Sequence, residues 1–231
     1  MSYHRTKDKT NVMKIGLLGN GYWGKILSSK LEQVDDVEIV WVYTSKDTIL
    51  FDNTIDWVFI ATPNDIHYEQ AKYFIEQGVN VFCEKPLTPT YKQSKELFDL
   101  AEKYDVKLYV DDVFNYRNEQ NDIKNLTKPI EVVWNKVSDN TLYDLMYHDL
   151  YLLQPHWTYL ADIKFSYGQS DDRTHKINDL DFTTSENSND ALLDMLNVVL
   201  YGTPNYEYNK TISLMCNEII DNIIEKEKYE K

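Results

Sequence analysis

The chain has 231 residues, of which 42% are hydrophobic, and its 24 Lys and Arg against 38 Asp and Glu give a formal net charge of −14. That charge opposes binding to nucleic acids and anionic membranes, because such binding begins when Lys and Arg neutralise phosphates, so we expect neither partner. No apolar run approaches the roughly 20 residues of a membrane helix, and residues 1–11 lack the apolar stretch of a secretory signal, which predicts a cytoplasmic protein.

Strand-like and helix-like segments alternate over the first 113 residues. The predicted strands are 12–18, 37–43, 57–61, 79–83 and 106–110, and the predicted helices are 23–33, 65–77 and 89–104. Thr88 and Pro89 suit the N-cap and the first position of the third helix. Too few residues separate Tyr43 from Trp57 for a full helix, so we predict a loop or a short helical turn there. This alternation predicts an α/β domain over residues 1–113, with a doubly wound parallel sheet.

The pattern changes after residue 113. We predict a strand over 129–136, a helix over 142–154 that ends before Pro155, and short strands over 162–167 and 175–184. Two helices close the chain, the first over 191–201 and the second with apolar residues at helical spacing from Ile212 to Ile224. Residues 114–231 are therefore predicted to form a smaller α+β domain.

A glycine-rich turn, Gly19-Asn20-Gly21-Tyr22-Trp23-Gly24, lies between the first predicted strand and the first predicted helix. Glycines there permit a tight turn, close approach of backbone to a pyrophosphate, and close packing of helix on strand, as in Rossmann folds. The helix N-terminus adds unpaired N–H groups. We therefore predict that Gly19, Gly21, Tyr22, Trp23 and Gly24 bind a dinucleotide. An ordinary strand-turn-helix corner is the alternative.

Two further motifs follow the third and fourth predicted strands. Residues 61–67 read Ala-Thr-Pro-Asn-Asp-Ile-His, and residues 83–86 read Cys-Glu-Lys-Pro. Because ligands of a doubly wound sheet lie beyond the carboxyl ends of its strands, we expect both motifs and the glycine turn to meet at one crevice.

In this order and spacing, the three motifs resemble the Gfo/Idh/MocA oxidoreductases, and the resemblance continues through residues 144–149 and 201–204. It implies an NAD(P)-dependent enzyme that moves hydride between the nicotinamide and a secondary alcohol or ketone of a sugar or nucleotide sugar. It also implies a cis peptide bond between Lys85 and Pro86. The cofactor pocket that it implies at the strand ends is formed by Ala61, Thr62, Pro63, Asn64, His67, Glu84 and Lys85.

Three residues are candidates for catalysis. Lys85 matches the family's lysine beside the nicotinamide, where a cation can hydrogen-bond the substrate oxygen and stabilise alkoxide character. Glu84 is its expected orienting partner, and a simple surface ion pair of the two is the alternative. The resemblance implies that His148 acts on the substrate hydroxyl, and Asp144, four residues earlier on the predicted helix, could fix the imidazole tautomer. The alternative for His148 is a solvated or structural histidine.

Cofactor choice depends on the end of the second predicted strand, where NAD-binding folds place an acidic residue against the ribose. This chain has Ser45 and Lys46 there, which favours NADP over NAD, although Asp47 follows directly. No spacing of histidines, cysteines and carboxylates indicates a metal site.

Two features depart from the family. The resemblance implies that residues 114–231 are a truncated domain for substrate binding and oligomerisation, shorter than in full-length members, whose large sheet commonly forms the dimer face. The oligomeric state therefore stays open, and the C-terminal domain is the candidate surface for a homo-oligomer. Asp111 and Asp112 stand where a glycine-histidine pair is expected. Two carboxylates there would suit a polyol or a cationic amino sugar better than a phosphorylated sugar, or they simply end a strand and enter a loop.

Two functions follow from these observations. The first is the oxidoreductase described above, with a small-molecule sugar or nucleotide-sugar substrate. The second is a catalytically silent dinucleotide-binding accessory or sensor module, which the shortened second domain favours because it could leave the nicotinamide open to water. Retention of Glu84, Lys85 and Pro86 favours the enzyme.

Overall fold

The structure is a computed structural model, and it describes residues 12–44, 47, 54–138, 140–183 and 190–229. The predicted loop or turn between Tyr43 and Trp57 falls mostly outside these ranges. Within them, no helix is both long enough and apolar enough to cross a membrane.

Five parallel strands form the first sheet, in the order β2-β1-β3-β4-β5. The strands are β1 Met13–Leu18, β2 Val37–Tyr43, β3 Trp57–Ile60, β4 Asn80–Cys83 and β5 Leu108–Val110. The helices between them are α1 Tyr22–Leu31, α2 His67–Glu76 and α3 Tyr91–Lys103. Apolar side chains fill both faces of the sheet, as a parallel sheet requires. The predicted doubly wound Rossmann sheet is therefore confirmed.

Helices from both halves of the chain cover this sheet. On one face, α2 and α3 bury residues such as Phe74 and Leu97 against β3, β4 and β5. On the other face, Leu27 of α1 packs together with Leu196 and Val199 from a helix near the end of the chain. The core of the first sheet thus draws on residues well beyond position 113.

The start of α3 differs from the prediction. Thr90, and not Thr88, is its N-cap, and the Thr90 hydroxyl accepts a hydrogen bond from the backbone N–H of Gln93 at 3.3 Å. The hydroxyl of Thr88 is already used, because it donates to the Thr90 carbonyl and lies 2.8 Å from the hydroxyl of Ser94. The helix therefore begins two residues later than expected from its proline.

The second sheet has four strands in the order β7-β6-β8-β9. They are β6 Glu131–Asn135, β7 Lys164–Gly168, β8 Thr174–Ile177 and β9 Leu180–Asp181. The pair β6 and β7 is parallel, and the other pairs are antiparallel. The single strand predicted over 175–184 is divided, because Asn178 has φ of 50° and turns the chain into a hairpin. With its helices, this half is the expected small α+β unit.

The helix predicted over 142–154 is three separate segments. Leu142–Met146 is a π-helical turn, α5 covers Tyr147–Leu152, and a 3₁₀ segment covers Gln154–Asp162. Pro155 has no N–H to donate, so an α-helix could not continue through it unbroken. The remaining helices are α4 Gln120–Ile123, α6 Ala191–Tyr201 and α7 Tyr206–Tyr229, and the last two match the predicted closing helices.

Candidate functional site

The glycine turn packs so closely that two of its glycines have no room for a side chain. Gly19 has φ of +100°, and a Cβ there would overlap the carbonyl oxygen of Ala61. A Cβ on Gly24 would overlap the carbonyl oxygen of Gly19. Gly21 differs, because no protein atom lies within 4 Å of the position that its Cβ would take.

The N-terminus of α1 opens onto this space. Gly21 is the N-cap of α1 and offers no side-chain cap to the first N–H groups of the helix. Such groups carry a partial positive charge and need hydrogen-bond acceptors, which a pyrophosphate supplies. The next two residues, Tyr22 and Trp23, are exposed and lie edge to face, with their ring centroids 5.5 Å apart. The turn therefore fits the dinucleotide that the sequence predicted.

A cavity of about 260 Å³ lies beside the turn, at the carboxyl ends of β3 and β4. Nine of its ten lining residues are among those predicted to bind the cofactor or to act in catalysis, and the tenth is Pro86. The ten are Trp23, Ala61, Thr62, Pro63, Asn64, His67, Glu84, Lys85, Pro86 and Asp144. The structure thus brings the three sequence motifs together at one crevice.

Lys85 joins the two halves of the chain. Its ammonium group donates to the backbone carbonyls of Tyr143 and Asp144, both at 3.1 Å, in the π-helical turn. An ammonium group has three N–H donors, so one remains for a ligand. Burial lowers the pKa of Lys85 below its ordinary value, and the carboxyl groups around it oppose that shift. The Lys85–Pro86 peptide bond is cis, as the resemblance predicted.

His67 fastens the two strand-end loops to each other. Its ring is buried, with Nδ1 3.0 Å from the carbonyl oxygen of Pro86 and Nε2 2.8 Å from that of Thr62. Burial lowers the pKa of His67, although both carbonyls favour the protonated ring. These contacts agree with the predicted part of His67 in shaping the cofactor pocket.

Asp144 and His148 do not form the expected hydrogen bond within the described residues. The Asp144 carboxylate accepts from the hydroxyl of Ser138 at 2.7 Å, while the His148 ring stacks on Phe114 with centroids 4.4 Å apart. Residues four apart share a face in a regular α-helix. Here Asp144 lies in the π-helical turn and His148 in α5, so that geometry does not apply.

Burial is the main reason why the pKa of His148 lies well below its ordinary value. The positive charges of Lys85, Lys136 and Arg173, together with His175, lower it further. His148 is therefore neutral at neutral pH, with one ring nitrogen able to accept a proton.

A buried polar cluster next to His148 was not found from the sequence. His175 Nε2 lies 2.7 Å from one carboxylate oxygen of Asp149, and the indole N–H of Trp134 donates to the other at 2.8 Å. The His175 ring stacks on Trp134, with centroids 3.8 Å apart, and also faces Phe114. The only signal in the sequence was that Asp149 directly follows His148. Three distant segments form this cluster, so spacing along the chain did not reveal it.

The two adjacent aspartates have different surroundings. Asp112 is buried and accepts from the hydroxyl of Tyr109 at 2.8 Å and from the amide of Asn115 at 3.2 Å, and burial raises its pKa to about 7. These contacts fit the simpler alternative, a strand end entering a loop. Asp111 instead lines a second cavity, of about 490 Å³.

Trp23 lines both this larger cavity and the first one. Aromatic and charged side chains surround it, among them Phe114, Phe182, Arg117 and Arg173. Arg117 is bound to Glu119 at 2.8 Å, whereas Arg173 lies over the Trp134 ring and has no ion pair in the described ranges. The cavity is large enough for part of a small-molecule substrate.

Two predicted cofactor residues, Ser45 and Lys46, lie outside the described residues. Asp47, which follows them, accepts hydrogen bonds from the backbone N–H and hydroxyl of Thr44 at 2.6 and 2.7 Å. Where the chain is described, no group of three or more His, Cys, Asp and Glu side chains is arranged to hold a metal ion.

With this geometry in place, the comparison with known families is decisive for the first half of the chain. Residues 16–112 match the model of the Gfo/Idh/MocA oxidoreductase family, described as an oxidoreductase family with an NAD-binding Rossmann fold. Residues 16–112 are a Gfo/Idh/MocA domain. The match includes the glycine turn, both strand-end motifs, Asp111 and Asp112.

Relatives of this Gfo/Idh/MocA domain cover the chain only in part. An uncharacterized oxidoreductase of Schizosaccharomyces pombe is 46% identical over 71 residues, which are 31% of this chain and 19% of that protein. A scyllo-inositol 2-dehydrogenase (NADP(+)) of Bacillus subtilis is 27% identical over 158 residues, 61% of this chain and 43% of that protein. The chain thus spans less than half the length of these relatives.

The solved structure of GenD2 from gentamicin A biosynthesis, in complex with NAD, resembles this chain over nearly its whole length. The TM-score is 0.73, with 14% identity, over 96% of this chain and 95% of that chain. At this identity the likeness shows the fold alone.

Proposed function

We propose that the protein is an NAD(P)-dependent oxidoreductase that transfers hydride to or from a secondary alcohol or ketone of a sugar or nucleotide sugar. One observation carries the proposal. Lys85, from the matched family domain, is bound through its ammonium group to the π-helical turn that precedes His148, at a cavity beside the glycine turn. A cation and a helix N-terminus are thereby available at one crevice, and the charge of Lys85 acts on the imidazole of His148, which lines neither cavity.

The cofactor residues fit the proposal. The free space at Gly21 and the uncapped N–H groups of α1 suit a pyrophosphate, and the cavity at the ends of β3 and β4 suits the remainder of a dinucleotide. The bound cofactor supplies the hydride acceptor or donor. The B. subtilis relative, named as an NADP-dependent inositol dehydrogenase, supports both the cofactor and a polyol or sugar substrate.

Lys85 and His148 have distinct parts in this proposal. Lys85 hydrogen-bonds the substrate oxygen and stabilises negative charge on it. His148, neutral because it is buried among cations, takes the hydroxyl proton during oxidation and returns it during reduction. Asp144 is proposed to act on Lys85, because its backbone carbonyl accepts from that ammonium group.

A dinucleotide-binding module without catalysis is the second candidate. The exposure of Tyr22 and Trp23, at 75% and 49%, leaves the crevice open to solvent on the side of α1. The shortened second domain also supports the module, because less of the chain is available to cover the nicotinamide. A homo-oligomer formed through this domain stays a prediction.

A turnover assay decides between the two functions. The purified protein is mixed with a panel of sugars, polyols and nucleotide sugars and with NAD or NADP, and absorbance of the reduced nicotinamide is followed. Turnover with at least one substrate supports the enzyme. Cofactor binding in calorimetry without turnover of any substrate in the panel supports the binding module. If neither binding nor turnover is found, both the enzyme and the binding module are contradicted.

We expect NADPH to bind more tightly than NADH. Ser45 and Lys46 follow β2 where an acidic residue would favour the unmodified ribose, and Asp47 is already held by Thr44. Lys46→Glu should invert the preference, because the new carboxylate repels a 2′-phosphate. Titration of both cofactors against both proteins measures this, and equal affinities in the parent protein would contradict it.

A further inference from the structure

The larger cavity, of about 490 Å³, adjoins the candidate catalytic residues. Phe114 lines it and stacks on the His148 ring, with centroids 4.4 Å apart. Trp23 lines this cavity as well as the smaller one beside the glycine turn. Asp111 also lines it, and lies close enough to Lys85 for the ammonium charge to act on its carboxyl group. The cavity is therefore the space into which the non-reacting part of a substrate can extend.

Arginine is rare in this chain but concentrated at the larger cavity. Only three of the 24 basic residues are arginines, and two of these three, Arg117 and Arg173, line the cavity. Arginine differs from lysine in chemistry, because its guanidinium group is planar and presents its N–H donors as a fork that matches a carboxylate or a phosphate. In a chain that uses lysine almost everywhere else, two arginines at one cavity indicate a need for that geometry.

The guanidinium group of Arg117 is bound by the protein itself. It donates to Glu119 at 2.8 Å and to the carbonyl oxygen of Phe182 at 3.3 Å. It also lies over the rings of Phe114 and Phe182, 5.4 and 5.1 Å from their centroids. Arg117 therefore stabilises the aromatic side of the cavity.

Arg173 differs, because its N–H donors are free of the residues that the structure describes. Its guanidinium carbon lies 5.7 Å from the centroid of the Trp134 ring. A cation over an aromatic face needs no N–H donor for that contact, so the donors remain available. No hydrogen bond or ion pair joins Arg173 to another described residue, although Asp171 and Asp172 precede it directly. The side chain is exposed, so a ligand can reach it.

Among the described residues that line the larger cavity, Arg173 is the only cation without a protein partner. Lys30 is paired with Asp190. Of the two adjacent aspartates, Asp112 does not line the cavity, and Asp111 is buried, which raises its pKa above the ordinary value. Because the whole chain is strongly acidic, an anion can be held at this cavity only by a local cation.

We propose that Arg173 is a specificity-determining residue that binds an anionic group, a carboxylate or a phosphate, of a sugar substrate in the larger cavity. The rings of Trp23, Phe114 and Phe182 pack against the apolar faces of the sugar. The guanidinium group forms two parallel hydrogen bonds to two oxygens of the anion. This inference rests on the proposed function, because it names the substrate class of the same site: sugar acids, sugar phosphates or nucleotide sugars, in preference to neutral sugars.

Calorimetric titration of matched sugars tests this assignment. Glucose, galactose and mannose are each titrated into the protein with NADP present, and each is compared with its uronate, its 1-phosphate and its nucleoside diphosphate form. We expect at least one acidic form to bind about tenfold more tightly than its neutral parent, since hydrogen bonds to a charged group contribute about that much. The uronate distinguishes a carboxylate from the phosphate of the other two forms.

Variants of Arg173 show whether this residue causes the preference. Arg173→Gln should reduce the preference about tenfold, because the amide lacks both the charge and the fork of donors. Arg173→Lys keeps the charge and should retain part of the preference. Lys176→Gln is the matched control, because it removes a positive charge from an exposed position nearby that does not line the cavity, so the preference should stay that of the parent. The neutral sugar is an internal reference, since a merely structural role of Arg173 over Trp134 would weaken neutral and acidic forms alike.

The assignment would be overturned if no acidic form bound more tightly than its neutral parent, or if Arg173→Gln kept the full preference. Turnover of neutral and acidic sugars at equal kcat/KM would also contradict it, while leaving the oxidoreductase intact. A preference that depends on Arg173, found without turnover or cofactor binding, would instead overturn the proposed hydride transfer and leave the anion site in place.

Discussion

Replacing Lys85 with alanine is expected to lower kcat/KM by about 10² to 10³ while cofactor affinity stays nearly constant. In the proposed function the Lys85 ammonium group stabilises negative charge on the substrate oxygen, and loss of one such donor costs this much in well-studied sites. The pyrophosphate is proposed to bind the glycine turn and α1, whereas the hydrogen bonds of the Lys85 ammonium group go to the carbonyls of Tyr143 and Asp144. Steady-state kinetics and calorimetric titration of the cofactor measure the two effects separately.

Lys95→Ala is the control for this experiment. Lys95 is an exposed residue of α3 paired with Asp99, and its loss should change neither kinetics nor binding. His148→Asn should lower the rate by about 10² to 10⁴. Because the two groups are proposed to act on one oxygen, the double variant should be little worse than Lys85→Ala alone. Full activity of Lys85→Ala would rule out its proposed part in the transition state.

Gly21→Ala is expected to weaken cofactor binding by at least tenfold without changing the Tm. No protein atom lies within 4 Å of the position of the new Cβ, so the folded protein accommodates the methyl group. The same space is where backbone must approach a pyrophosphate, so the methyl group would displace the ligand instead. Calorimetric titration and thermal unfolding on the same samples measure the two properties.

Gly19→Ala is the contrasting variant. Its Cβ would overlap the Ala61 carbonyl, and its φ of +100° is unfavourable for any residue with a side chain, so the Tm itself should fall. The two variants thus distinguish a glycine required for folding, Gly19, from a glycine required for cofactor binding, Gly21. Unchanged cofactor affinity in Gly21→Ala would place the pyrophosphate elsewhere and remove the main support for the cofactor assignment.

Asp144 and His148 show why spacing along the chain could not predict the contacts of the candidate site. Asp144 and His148 are four residues apart, which in a regular α-helix places them on one face. The chain instead forms a π-helical turn, and its Tyr143 and Asp144 carbonyls bind Lys85 from the other half of the molecule. Spacing rules assume one helical period, and a contact between segments about sixty residues apart is not a local property.

The first sheet, the glycine turn and the crevice could all be predicted from the sequence alone. Those features depend on local patterns: apolar strands alternating with amphipathic helices, glycines between them, and polar motifs at strand ends that topology must bring together. Nine of the ten residues around the smaller cavity were predicted from these local patterns. Features that depend on packing between distant segments could be read only from the folded chain. Three separate segments form the Asp149, His175 and Trp134 cluster. Charge and protonation depend on how much water is removed and which neighbours remain, and neither is known until the chain is folded.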